Sequence, residues 1–80
     1  MEQHLYAPAL SPREVEIVEL LSNGLTVKEI GESLSISYNT ADTHRKRIIG
    51  KLGARNVTHA VRLAILKGLL ALPGVDGLSI

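Results

Sequence analysis

Metal binding or general-base catalysis would fall to His4, His44 and His59, because the 80-residue chain has no cysteine. No two of these histidines have the i, i+3 or i+4 spacing of a helical metal site, and no acidic ligand joins them. No nucleophile stands beside a base, so an enzyme is the remote reading, and no catalytic residue, metal ligand or cofactor is expected. Gly50-Lys51 lacks the upstream glycine of a phosphate loop, and Asn56-Val57-Thr58, although it matches a glycosylation sequon, reads better as a helix cap. Tyr6 and Tyr38 are the only aromatics, which leaves little for stacking on single strands or RNA. The remaining chemistry is cationic. Nine Lys and Arg against eight Asp and Glu give a total of +1, which by itself gives no reason to expect nucleic acid. Divided along the chain, the charge reads differently. Residues 1–36 hold six acidic and two basic side chains, whereas residues 37–56 hold Arg45, Lys46, Arg47, Lys51 and Arg55 against Asp42 alone.

The elements that position those cations are all helices by their boundary signals. Ser11-Pro12-Arg13-Glu14 is a capping box with proline at the first helical position, and Leu10 with Val15 supplies a hydrophobic staple. The helix carries Ile17, Val18 and Leu21 on one side and stops at Asn23-Gly24. Thr26-Val27-Lys28-Glu29 repeats the box, with Leu25 and Ile30 as staple, and opens a short helix facing Val27, Ile30 and Leu34 inward. Ser37 caps a longer helix to about Leu52, with Ala41, Ile48 and Leu52 on its inner stripe and Gly53 as its stop. Asn56 caps a fourth helix through Leu70. The expected organisation is an N-terminal arm or linker over 1–10, one all-α domain over 11–70 and a tail over 71–80.

Composition bounds the class. An apolar share of 45%, nearly all aliphatic, argues against disorder. No apolar run reaches the ~18–20 residues of a membrane span, and the first ten residues carry Glu2 and no cation, unlike a signal peptide. A small, cytoplasmic domain without membrane contact is expected.

Two short helices joined by a tight turn, the second leading a longer basic helix, form a helix-turn-helix. The turn lets one helix brace the other and leaves the longer helix an outer face suited to a major groove. The residues that carry this pattern also resemble a family. Leu10-Ser-Pro-Arg-Glu14, Gly24-Leu-Thr-Val-Lys-Glu-Ile30, Leu34-Ser-Ile-Ser37, Thr40, His44, Ile48 and Lys51-Leu-Gly53 resemble the DNA-binding domain of LuxR/NarL/GerE-type bacterial transcription regulators, over about residues 10–70. The resemblance implies a four-helix bundle whose third helix enters the major groove of double-stranded DNA and whose fourth often forms a dimer contact. By position it implies that Lys28, Thr40 and Lys51 touch the phosphate backbone and that Asn39, Asp42, Thr43, Lys46 and Arg47 face the groove. Tyr38, in the first turn of the third helix, either touches sugar-phosphate or packs against the turn.

Three residues depart from the family pattern. Asp42 stands where Lys or Arg is common; an acidic residue there, with Arg45 after His44, resembles the FixJ-like branch. It either accepts from cytosine N4 or pairs within its helix with Arg45 or Lys46. Arg45 stands where an aliphatic residue is common on the inner edge. A buried guanidinium needs a carboxylate, and Glu14 is the expected partner, the alternative being that both reach solvent. Val57 stands where Arg is common.

The fourth helix shows two apolar stripes: Val57, Ala60, Val61, Ala64 and Ile65, suited to the core, and His59, Leu63, Leu66 and Leu70 nearly opposite. A domain this small cannot easily enclose both, so the second stripe is expected to form a homodimer contact. A fold-back of Leu72, Val75 and Leu78 is the competing cover. A second class of function is a protein-interaction module, in which this helix binds another domain or an RNA polymerase subunit.

Overall fold

The computed structural model describes residues 10–70, and four helices make up the domain: α1 (Pro12–Ser22), α2 (Val27–Leu34), α3 (Tyr38–Leu52) and α4 (Val57–Leu66). No strand is present among the described residues. The expected arm and tail, with His4, Leu72, Val75 and Leu78, lie outside the described residues, apart from Leu10.

Each helix starts on the side chain that the sequence offers for it. Ser11 and Thr26 accept from the N–H groups of Glu14 and Glu29, and both glutamates reach back to the cap backbone, so both capping boxes are complete. Ser37 accepts from the Thr40 N–H and Asn56 from the His59 N–H. These caps satisfy donors that the first turn of a helix leaves without partners.

The four helices also end alike. After each one a residue turns left-handed, at Gly24, Ser35, Gly53 and Gly68. The following N–H then bonds five residues back: Leu25 to Leu20, Ile36 to Gly31, Ala54 to Ile49 and Leu69 to Ala64. Three of the four turning residues are glycine, which enters this region without strain. The fourth, Ser35 at φ 58°, is the exception. It lies in the turn between α2 and α3.

Ile17, Val18, Ile30, Ala41, Ile48, Leu52, Ala60 and Ala64 form the core. Every helix contributes, and α3 packs against the other three. Gly31 sets the closest approach within the helix-turn-helix. A Cβ there would stand 2.9 Å from the Ile36 carbonyl oxygen, so a larger side chain must push the turn open.

The fourth helix departs from expectation. It stops at Leu66 rather than Leu70, because Gly68 at φ 75° reverses the chain. Leu69 and Leu70 then pack against the core. The outward stripe changes with it. Ala60 and Ala64 are small, and both flanking residues, Val61 and Leu63, lean onto the core. Of the stripe His59, Leu63, Leu66 and Leu70, only Leu66 stands in the open, with 68% of its surface exposed.

Candidate nucleic-acid interface

The third helix is anchored on one side and open on the other. Ala41, Ile48 and Leu52 are buried, while Asn39, Thr40, Thr43, Lys46 and Arg47 are exposed. At 100° per residue, Asn39, Thr43 and Lys46 point directly away from the buried stripe. The Thr43 hydroxyl donates to the Asn39 carbonyl at 2.9 Å, and the Ser37 hydroxyl donates to the Thr40 hydroxyl at 2.9 Å. Tyr38 opens the helix with 57% of its surface exposed. Lys28 is exposed in the first turn of α2. These groups are exposed on α2 and α3, the two helices of the helix-turn-helix.

The carboxylates decide which cations on that surface are free. Asp42 is held by Arg45, whose Nε and Nη2 both reach Oδ1 at 2.8 Å, and by Lys46, whose Nζ lies 3.3 Å from Oδ2. The hydrogen bond from Arg45, then that from Lys46, holds the Asp42 carboxyl below its ordinary range. Glu14 is engaged by Lys51 instead, at 2.7 Å, with only 5% of the Glu14 side chain exposed. Burial pushes the Glu14 carboxyl up, but the Lys51 hydrogen bond and charge, with the bonds from Ser11, outweigh it and bring the group below its ordinary value.

The expected Arg45–Glu14 pair is therefore incorrect. Asp42 stands one helical turn before Arg45, so their pairing orders few additional torsions. That leaves the buried Glu14 to Lys51, which projects from the other flank of the inner stripe. The Glu14–Lys51 pair spans 37 positions, and helix periodicity alone carries no information on how α1 and α3 cross. The buried position of Glu14, legible as part of the core side of α1, was the available signal that it needed a cation. Of the basic residues over 37–56, Arg47 and Arg55 have no ion pair among the described residues.

His59 accepts the Arg55 N–H on Nδ1 at 3.0 Å, capping the entry to α4. The Nδ1 of His44 is buried without a hydrogen-bond partner. Among the described residues no three His, Asp or Glu side chains come together as a metal site, and no helix is long and apolar enough to cross a membrane. On α4, Thr58, Val61, Arg62, Ile65 and Leu66 line an open, almost wholly apolar groove of about 460 Å³. Val61 and Ile65, expected in the core, are half-buried along it.

Comparison with known proteins agrees with this arrangement. Residues 8–64 match the GerE model, described as bacterial regulatory proteins of the luxR family. Among curated proteins, the chain is 50% identical over 56 residues to the transcriptional activator protein BjaR1 of Bradyrhizobium diazoefficiens, covering 70% of this chain and 23% of that protein. It is 41% identical over 61 residues to the oxygen regulatory protein NreC of Staphylococcus aureus, covering 76% of this chain and 28% of that protein. The chain thus spans about a quarter of the length of these relatives. The solved structure of the transcription factor GerE superimposes with a TM-score of 0.75 at 35% identity, covering 79% of this chain and 94% of that one. These relatives are transcriptional regulators rather than enzymes. The chain belongs to the luxR family of bacterial regulatory proteins and is a helix-turn-helix DNA-binding domain of that family.

Proposed function

We propose that the domain binds double-stranded DNA sequence-specifically as part of a bacterial transcription regulator, with α3 in the major groove. The observation that carries this reading is the division of α3 into a buried stripe and an exposed row of Asn39, Thr43, Lys46 and Arg47. Lys28, Tyr38 and Thr40 flank that row and would set the register on phosphate and sugar, while the row itself meets base edges. Lys51, expected on the phosphate backbone, is left out of this contact set because its ammonium is held by Glu14. Selection from a random duplex library should recover a defined site, with affinity falling steeply as salt rises. Recovery of no preferred sequence would contradict the reading. Arg47→Ala should lower the salt dependence by about one released counterion.

The functional unit in this reading is a homodimer formed through α4, with the contact centred on Leu66 and extended by Val61 and Ile65. An apolar groove beside an exposed leucine supports a partner of the same kind, whereas His59, Leu63 and Leu70 are engaged within the domain. Leu66→Glu should convert a dimer to a monomer by light scattering, and an unchanged mass would remove this interface. An RNA polymerase subunit is the competing occupant of the groove. A cytoplasmic site of action follows from DNA binding.

A further inference from the structure

Asp42 is a carboxylate on the basic helix of a domain read as binding a polyanion, and its surroundings are specific. One of its oxygens, Oδ1, accepts a hydrogen bond from Arg45 Nε and lies against Arg45 Nη2, both at 2.8 Å. The other, Oδ2, faces only Lys46, at a looser 3.3 Å. Arg45 keeps 28% of its side chain exposed and lies on the inner edge of α3, whereas Lys46 is 70% exposed on the outer face. The two cations are therefore not equivalent. Arg45 holds the carboxylate from behind, and Lys46 covers it from the solvent side.

We propose that Asp42 reads one base pair through Oδ2 and that Arg45 is the positioning residue that aims it. This rests on the DNA-binding reading above and adds to it the residue that makes an acidic reader workable. A carboxylate is acceptor-only, so in the major groove it favours the amino group of cytosine N4 and disfavours the acceptor edges of guanine. A free carboxylate would rotate and repel phosphate. Arg45 occupies Oδ1, fixes the plane of the group and offsets its charge, which leaves one oxygen for an amino donor. Lys46, at the longer distance and with most of its surface in solvent, exchanges Asp42 for phosphate or a guanine acceptor when DNA arrives. The cluster thus keeps a net charge of +1 while presenting an acceptor.

Selection from a random duplex library, run in parallel on the 80-residue chain, Asp42→Ala and Arg45→Met, tests the assignment. Thermal unfolding of each protein verifies folding. Wild type is expected to show a C·G preference at one pair of the half-site. Both variants should lose that preference, a change of about tenfold or more for a good contact, while keeping the preferences at the other positions. Asp42→Asn, which can donate and accept, should move the preference toward A·T. If Asp42→Ala loses the preference and Arg45→Met retains it, Arg45 positions nothing. If both variants select the wild-type site, Asp42 reads no base. If the wild-type chain selects no sequence at all, the DNA-binding reading falls, and this assignment with it.

Discussion

Two carboxylates of this domain each hold cations from α3, and their surroundings differ in almost every respect. Glu14 is buried on α1 and pairs across the fold with Lys51. Asp42 lies on α3 and pairs within one turn with Arg45 and Lys46. The first pair joins two helices and commits the Lys51 ammonium to a buried carboxylate. The second joins nothing distant and organises the surface itself. The charge of an α3 cation therefore says little until its partner is known, because the same residue type serves the fold in one case and the proposed DNA face in the other.

The comparison is broken most directly by Lys51→Met. It leaves the Glu14 carboxylate buried without a cation, and about 3 kcal/mol of stability should be lost at neutral pH. That loss should shrink in acid, where the stranded carboxyl takes up a proton. Urea denaturation at several pH values measures both. Glu14→Ala comes next, at about 2 kcal/mol, since it removes the capping box and the pair but lets the Lys51 ammonium turn to water. The folded Glu14 pKa is depressed, so its contribution is complete above the ordinary glutamate value of about 4.3 and is lost as the pH falls from there through the folded value. The acid limb of the stability curve should therefore be shallower in Glu14→Ala than in wild type.

Ser35→Gly provides a control remote from both carboxylates. The other three left-handed positions are glycine, and the substitution should raise stability by about 0.5–1 kcal/mol. A loss would mean that the serine side chain is needed in the turn. Asp42→Ala completes the series with the smallest effect: its ion pairs are at the surface and screened by salt, so no resolvable change in the denaturation midpoint is expected. A large drop there would erase the distinction between the two carboxylates.

Much of this architecture is written locally. Ser11, Thr26, Ser37 and Asn56 open the helices as their types require, and Ala41, Ile48 and Leu52 fall on the inner stripe that a period of 3.6 assigns them. The errors arise where the answer depends on how helices cross or where a helix ends. Arg45 had a partner three residues away and another across the fold, and periodicity does not choose between them. Leu63 sat opposite the core on a helix drawn to Leu70, but Gly68 ended that helix and the alanines drew its flank inward. The pairing of Lys51 with Glu14 was equally out of local reach, because the burial of Glu14 depends on the packing of α1 on α3.

The Oε1 atom of Glu14 has one further consequence. It accepts both the Ser11 N–H at 2.8 Å and the Lys51 ammonium at 2.7 Å. The first turn of α1 and the last turn of α3 are thus fastened to a single oxygen. Fraying at one end removes a bond that the other end shares, so the two should open as one cooperative unit rather than as independent termini. Amide hydrogen exchange would register this as matched protection in the two turns, rising and falling together as the solution is acidified.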